Sequence, residues 1–155
     1  MTNYTFDIKS PKDKLNHLLD SYSVYLKEKT SSKLATDIST NAWHLSDWVF
    51  EEYKDKHKLT LGKFREALYL PCPSLKIMHD ICNGSKHKKL SQPKASIKDT
   101  RKHLGAFSNH FSRAFDVTTL KIELEDGTVL FFEDEIQKVI SFWINYFKTE
   151  LDIQV

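Results

Sequence analysis

The fold is decided by residues 120–143, which read LKIELEDGTVLFFEDEIQKVISFW. Apolar and charged residues alternate before Asp126 and Gly127, as is typical of a half-buried strand, and an Asp-Gly pair favours a two-residue hairpin turn. A turn of that length places two apolar pairs on one face of the hairpin. These pairs are Leu124 with Val129, and Ile122 with Phe131. The pattern therefore predicts a β-hairpin whose register is set by the length of its turn.

A last helix is predicted to follow the hairpin directly. Glu133, Asp134 and Glu135 suit its first turn, because carboxylates are stabilised at the positive end of the helix dipole. Beyond them, apolar residues recur at intervals of three and four and so form one inward face. These residues are Ile136, Val139, Ile140, Trp143 and Phe147.

Four earlier helices are indicated by the same spacing of apolar residues. They cover residues 11–29, 32–56 and 60–69 and a segment that begins at Ser74. A proline opens the first, Thr60 and Ser74 cap the third and fourth, and prolines after residue 69 end the third. We therefore predict a mainly α (α+β) fold: an antiparallel helical bundle with a C-terminal β-hairpin followed by a last helix, in a single domain spanning residues 1–155.

Charge is divided unevenly along the chain, although the net charge is only +2. Residues 85–113 contain eight Lys or Arg and one Asp, whereas residues 114–155 contain three basic and nine acidic residues. Within the basic part, residues 91–116 show no period and include a proline and a glycine, so we predict an irregular basic loop. Such a loop either binds a polyanionic partner or faces the protein's own acidic end. The charge distribution alone does not distinguish these two possibilities.

If the partner is RNA or another polyanion, the basic side chains of this segment are the expected phosphate contacts. The predicted nucleic-acid-binding residues are Lys88, Lys89, Lys94, Lys98, Arg101 and Lys102.

Two helices carry polar residues on the flank beside their apolar face. On the second helix, His44 and Asp47 are three residues apart, so the carboxylate can orient the imidazole and raise its pKa. On the fourth helix the polar residues are Asn83, Lys86 and His87. If the helices are antiparallel neighbours, all five line one groove, where a neutral histidine acts as a base toward a ribose hydroxyl and a lysine stabilises charge on the phosphate. The alternative is a histidine and a carboxylate paired on the surface without a catalytic role.

No metal or cofactor is predicted. A metal would require His44, Asp47, His79 and His87 to converge, and the sequence contains neither an HExxH pattern nor closely paired cysteines. It also has no glycine-rich phosphate loop and no GxSxG motif, which disfavours nucleotide-dependent enzymes and serine hydrolases. The start of the chain lacks a secretion signal and no stretch reaches about 18 apolar residues, so we expect a cytoplasmic protein with no membrane contact.

Trp43 and Phe50 lie opposite the inner stripe of the second helix. They add apolar surface that the core of a monomer does not need, and we therefore predict a homodimer. The alternative is that the basic loop or the hairpin of the same chain covers them.

The segments NAWHLSDWVF (residues 41–50) and DICNGSKH (residues 80–87), followed by the hairpin and a Trp-containing last helix, resemble a group of small bacterial and phage proteins. The helical part of that group is in turn similar to HEPN-like domains, which are compact antiparallel bundles found in toxins and antiviral systems. The resemblance implies metal-independent RNA cleavage, often at a dimer interface, by an arginine followed after four to six residues by a histidine.

The sequence departs from that pattern, because none of Arg65, Arg101 and Arg113 has a histidine at this distance. The nearest spacing is Asn83 to His87, which lacks the arginine. Two functions therefore stay open. One is an RNA-binding or ribonuclease-like defence or toxin-antitoxin module, and the other is a non-catalytic interaction or regulatory domain.

Overall fold

A computed structural model describes residues 2–155, and in this range the chain forms five α-helices and one three-stranded antiparallel sheet. In chain order the elements are α1 (Pro11–Tyr25), α2 (Ser32–His57), α3 (Leu61–Tyr69), α4 (Ser74–Lys86), β1 (Ile97–His103), β2 (Thr119–Leu124), β3 (Val129–Phe131) and α5 (Phe132–Thr149). The predicted fold class, mainly α with a β-hairpin and a last helix, is confirmed. No helix within residues 2–155 is both long enough and apolar enough to cross a membrane.

Helix starts follow from side chains that accept hydrogen bonds from free backbone N–H groups. Ser10 Oγ accepts from Asp13 N at 3.1 Å while Asp13 Oδ2 accepts from Ser10 N at 3.0 Å, so α1 begins with a reciprocal cap. Thr60 caps α3 as predicted. Ser74, in contrast, is the first residue of α4 and not its cap. Its hydroxyl donates to Glu135 Oε2 at 2.5 Å, because α5 packs against the beginning of α4.

The core lies between α2, α4 and α5, with α1 packed along α2 and the sheet over one end. All five apolar residues predicted to face inward from the last helix are buried, which confirms that face. Trp143 Nε1 also donates to the carbonyl oxygen of Ala42 at 3.0 Å, so its only polar group is satisfied inside the core. The sheet joins this core through Ile122, of which 2% is exposed.

Strand β1 corrects the prediction that residues 91–116 are an irregular loop. Residues 97–103 pair antiparallel with β2, and Thr100 lies opposite Ile122. Both faces of β1 are largely exposed, so IKDTRKH carries no alternation of apolar and polar residues by which a strand is recognised. The strand is defined by its backbone hydrogen bonds to β2, and only the flanking residues 91–96 and 104–116 are irregular apart from a single bridge at Phe107.

The hairpin exists where it was predicted, but its register was wrong by one residue. Leu124 N donates to the Thr128 carbonyl at 2.8 Å and Gly127 N donates to the Leu124 carbonyl at 2.9 Å, which makes a three-residue loop. Gly127 has a φ of +88°, a conformation that suits glycine and ends such a loop. The additional loop residue places Ile122 opposite Leu130 instead of Phe131, and Val129 opposite Glu123 instead of Leu124.

Helix α3 covers the side of α2 from which a homodimer was predicted. Trp43 is 3% exposed, because Tyr69 of α3 and His79 of α4 stack against its ring at centroid distances of 5.8 and 4.0 Å. Phe50 packs against Phe64 of α3 at 5.7 Å. The two aromatic residues are therefore part of the monomer's own packing and give no support for a homodimer.

Candidate functional site

An open groove of about 480 Å³ lies beside α4, between the exposed side of α3 and the segment that follows α4. Its charged and hydrogen-bonding side chains are Arg65, His79, Asn83, His87, Lys89, Ser91, Gln92 and Lys94. No carboxylate lines the groove. Its surface therefore favours an anion, with three permanent cations and two histidines around one opening.

Asp80 holds one wall of the groove in place. Its carboxylate accepts hydrogen bonds from Lys94 N at 2.8 and 2.9 Å and from Ala95 N at 2.7 Å. Only 4% of Asp80 is exposed. The segment after α4 folds back over this side of the helix and buries it. The backbone bonds anchor that segment, and with it Lys89 and Lys94, along the groove.

Next to Asp80, a layer of stacked rings supports His79, which lines the groove. The His79 ring lies nearly parallel to Trp43, with an angle of 13° between them, and Tyr69 stacks on the other part of the same indole. Tyr69 Oη and His79 Nδ1 are 2.7 Å apart and share a hydrogen bond. Burial raises the pKa of Tyr69 to about 12, so its hydroxyl keeps its proton at neutral pH.

The His79 imidazole is neutral at physiological pH. Burial lowers its pKa from 6.5 to about 4, and the nearby Arg65 guanidinium adds to the effect while Asp80 opposes it. Nδ1 is engaged by Tyr69, and Nε2 makes no hydrogen bond to residues 2–155. The groove thus contains an uncharged imidazole with one ring nitrogen available to a ligand.

Arg65 is the cation that the fold positions most firmly. Its Nη2 donates to Asp47 Oδ1 at 2.7 Å, and its guanidinium carbon lies 5.1 Å from the centre of the Trp43 ring. Its Nε is buried and has no hydrogen-bond partner in the described part of the chain. Asp47 thus orients Arg65, whereas the sequence predicted that it would orient His44.

His44 lies outside the groove and in a different environment. Its Nε2 is 3.4 Å from Cys82 Sγ, and it remains open to solvent on α2. Partial desolvation lowers its pKa, the Lys14 and Lys86 ammonium groups add to this, and Asp47 opposes it. Asp47 thus acts on the pKa of His44 in the predicted direction, but desolvation and Lys14 outweigh it and the net pKa is lowered. The carboxylate itself binds Arg65 and not His44.

The predicted catalytic set is consequently divided. Asn83 and His87 line the groove, Asp47 supports it through Arg65, and His44 and Lys86 are not among its lining residues. The five side chains therefore do not all line one groove.

The predicted nucleic-acid-binding set is divided as well. Lys89 and Lys94 line the groove and Lys88 is exposed next to it. Lys98 and Arg101, in contrast, both bind Glu123 of β2, at 3.0 and 2.9 Å. These two cations face the protein's own acidic part, which is the alternative that the sequence left open. The sixth residue, Lys102, lies on the other face of β1.

Sequence reasoning missed Arg65, Tyr69 and Trp43 as parts of the site and considered His79 only as a metal ligand. One signal was available, since Arg65 and Tyr69 are four residues apart on a short helix and so share a face. What the sequence lacked was the position of α3 over α2. In residues 2–155, no three His, Cys, Asp or Glu side chains converge as metal ligands.

Comparisons with known proteins identify no relative of this chain. No protein-family model matches the chain, and no curated protein and no solved structure is significantly similar to it. The similarity to HEPN-like domains stays a prediction.

Proposed function

We propose that the protein binds the phosphodiester backbone of single-stranded RNA in the groove beside α4. One observation carries this proposal: Arg65, Lys89 and Lys94 converge on a groove that no carboxylate lines. Lys98 and Arg101 bind Glu123 and Arg65 binds Asp47, whereas Lys89 and Lys94 form no ion pair in residues 2–155, so these two lysines keep their charge available at the groove.

The lining residues suit different parts of a nucleotide. Arg65 is held by Asp47 and Trp43, so it can meet a phosphate without first losing side-chain freedom. Lys89 and Lys94 are exposed and contribute charge along the strand. Asn83 and His87 offer hydrogen bonds to a ribose hydroxyl or a base edge, the groups that distinguish one strand from a simple polyanion.

Binding is tested by fluorescence anisotropy with a labelled oligouridine over a range of salt concentrations. Each phosphate contact contributes a slope of about −0.7 to log K against log salt for a single strand. We expect the double variant Lys89→Gln/Lys94→Gln to weaken binding about tenfold or more at low salt and to flatten the slope by about 1 to 2. Lys27→Gln, which removes one exposed charge in the turn after α1, serves as the control for a charge outside the groove.

Two results would reject RNA as the ligand. The first is an equal loss of affinity in the double variant and in the Lys27→Gln control, since the groove would then have no special role. The second is displacement of the oligonucleotide by polyglutamate at an equal concentration of charge. That result would favour the acidic protein surface expected of a regulatory partner.

Cleavage of the bound strand is a second candidate, because two imidazoles, His79 and His87, line the same groove. In the tautomer where Nδ1 of His79 donates to Tyr69, Nε2 can accept the proton of a ribose 2′-hydroxyl. The 2′-oxygen then attacks phosphorus and the bond to the 5′-oxygen breaks. His87, when protonated, supplies the proton to that leaving oxygen, which yields a 2′,3′-cyclic phosphate and a 5′-hydroxyl.

Incubation of end-labelled RNA with the protein in a chelator separates binding from cleavage. Cleavage predicts fragments with cyclic phosphate ends, no fragments from the matching DNA, and loss of fragments in His87→Ala at protein concentrations that still saturate the RNA. Retention of the strand without fragments would reject cleavage and leave RNA binding as the proposed function.

A further inference from the structure

A second cleft, separate from the groove beside α4, lies between the beginning of α2 and the inner face of the sheet. Its volume is about 140 Å³. The floor is apolar and contains Ala35, Ile122 and Phe132, which are all buried. Hydroxyl groups of Ser32 and Thr36 line the side formed by α2. The cleft is thus apolar at its base and polar at one side.

The strand register places one lysine on the inner face beside this cleft. Lys102 lies opposite Leu120 and Thr100 lies opposite Ile122, which is 2% exposed, so both are on the Ile122 side of the sheet although they are themselves exposed at its edge. Lys98 and Arg101 bind Glu123 on the other face, although Arg101 and Lys121 also border the cleft. Lys102 forms no ion pair with any carboxylate in residues 2–155, and no carboxylate lines the cleft.

We propose that this cleft binds a small carboxylate with an apolar body, such as an aromatic or branched aliphatic acid. The volume suits such a body, because an engineered apolar cavity of about 150 Å³ accommodates benzene. The apolar part contacts Ile122 and Phe132, and the carboxylate meets the Lys102 ammonium group and the Ser32 hydroxyl.

Each half of the ligand is needed for binding. Apolar contact alone leaves Lys102 without a counter-ion, and an anion alone leaves the floor exposed to water. A ligand with about nine heavy atoms is expected to bind with a dissociation constant on the order of 1 mM. The site uses none of the side chains that line the groove beside α4, so it is independent of RNA binding.

The test compares benzoate with benzyl alcohol and acetate, while backbone amide shifts are followed by NMR. We expect benzoate to cause saturable shifts at Ala35 and Ile122, and each partial ligand to bind at least about tenfold more weakly. Lys102→Met keeps the side-chain stem and removes the charge, and should weaken benzoate binding about fivefold or more while leaving benzyl alcohol unchanged. Lys98→Met, on the opposite face of the same strand, should bind benzoate as the unchanged protein does.

A cavity-filling variant gives a second, charge-independent readout. Ala35→Leu should abolish the benzoate shifts while the remaining amide spectrum stays dispersed. If that variant does not fold, the comparison of Lys102→Met with Lys98→Met decides alone. The absence of saturable benzoate shifts up to about 20 mM, or an equal loss in the two lysine variants, would overturn the proposal.

Discussion

His79 and His44 lie on neighbouring helices, and they differ in what covers them. On the covered flank, Arg65 and Tyr69 of α3 lie over Trp43 and stack or pair beside His79, of which 7% is exposed. The open flank, which consists of His44 and Lys86, has no such layer, and both residues are solvent-exposed although the neighbouring Cys82 is buried. Burial and Arg65 lower the pKa of His79 to about 4, and partial desolvation together with the cations Lys14 and Lys86 also lowers the pKa of His44.

The difference shows that a polar side chain on an amphipathic helix acquires its role from the element placed over it. On the covered flank, three stacked rings and an ion pair hold one imidazole neutral and in a fixed orientation. On the open flank, the His44 imidazole contacts the Cys82 thiol and is exposed to solvent. Four substitutions or titrations measure how far the two flanks differ.

The largest expected effect is on the covered flank at Trp43. Replacement with alanine removes the ring on which Tyr69, His79 and Arg65 all rest, and should lower the free energy of unfolding by about 3–5 kcal/mol. Urea unfolding followed by circular dichroism measures the loss. A decrease of less than about 1 kcal/mol would mean that α3 does not depend on this ring.

The pH dependence of stability tests the neutral state of His79. Because the pKa is about 4 in the folded protein and 6.5 for an unperturbed imidazole, the unfolded chain binds more protons between these values. The contribution of His79 is fully present above about pH 6.5 and is lost as the pH falls, by roughly 3 kcal/mol in total near pH 4. Between pH 7 and pH 4, the free energy of unfolding of the unchanged protein should fall by this amount relative to that of His79→Phe. Parallel curves would contradict a buried neutral His79.

An intermediate effect is expected for Asp80→Ala. The variant leaves the N–H groups of Lys94 and Ala95 without their acceptor, and should cost about 2 kcal/mol of unfolding free energy. It should also speed amide hydrogen exchange in residues 87–95 and weaken RNA binding, because the anchored wall of the groove is released. Unchanged exchange at Lys94 would show that other contacts hold this segment.

The smallest effect is expected on the open flank. His44→Ala should change the free energy of unfolding by less than about 0.5 kcal/mol and leave RNA binding unaltered, because His44 is exposed and lies outside the groove. The same measurements on His79→Ala provide the matched control. A similar loss in both variants would remove the distinction between the flanks.

The sequence predicts the fold best in segments where apolar residues recur at one spacing over many residues. The inward face of α5 is readable because Ile136, Val139, Ile140, Trp143 and Phe147 repeat at helical spacing over a long segment. Strand β1 is not readable because both its faces are exposed. The hairpin register is also beyond the local pattern, since Asp126-Gly127 fits a two-residue and a three-residue loop and only the backbone bonds of Leu124 distinguish them.

The site is less predictable than the fold, for a physical reason. Asn83 and His87 could be placed in a groove because they lie on the flank of a recognisable helix. Arg65 and His79 could not be placed there, because their proximity depends on how α3 packs against α2 and α4. The spacing of residues within each helix does not specify that packing. The position of Trp43 illustrates the point: the same pattern fits an exposed interface and a ring buried beneath a neighbouring helix.

The anchoring of residues 94 and 95 by Asp80 has a consequence for the kinetics of recognition. The chain between the end of α4 and Lys94 is a short loop whose two ends are fixed, so its conformational entropy is lost mainly when the protein folds and not when a ligand arrives. Lys89 therefore has a restricted range of positions before encounter. A preorganised loop of this kind favours fast capture of an anion by long-range attraction and makes the association rate, more than the dissociation rate, sensitive to salt.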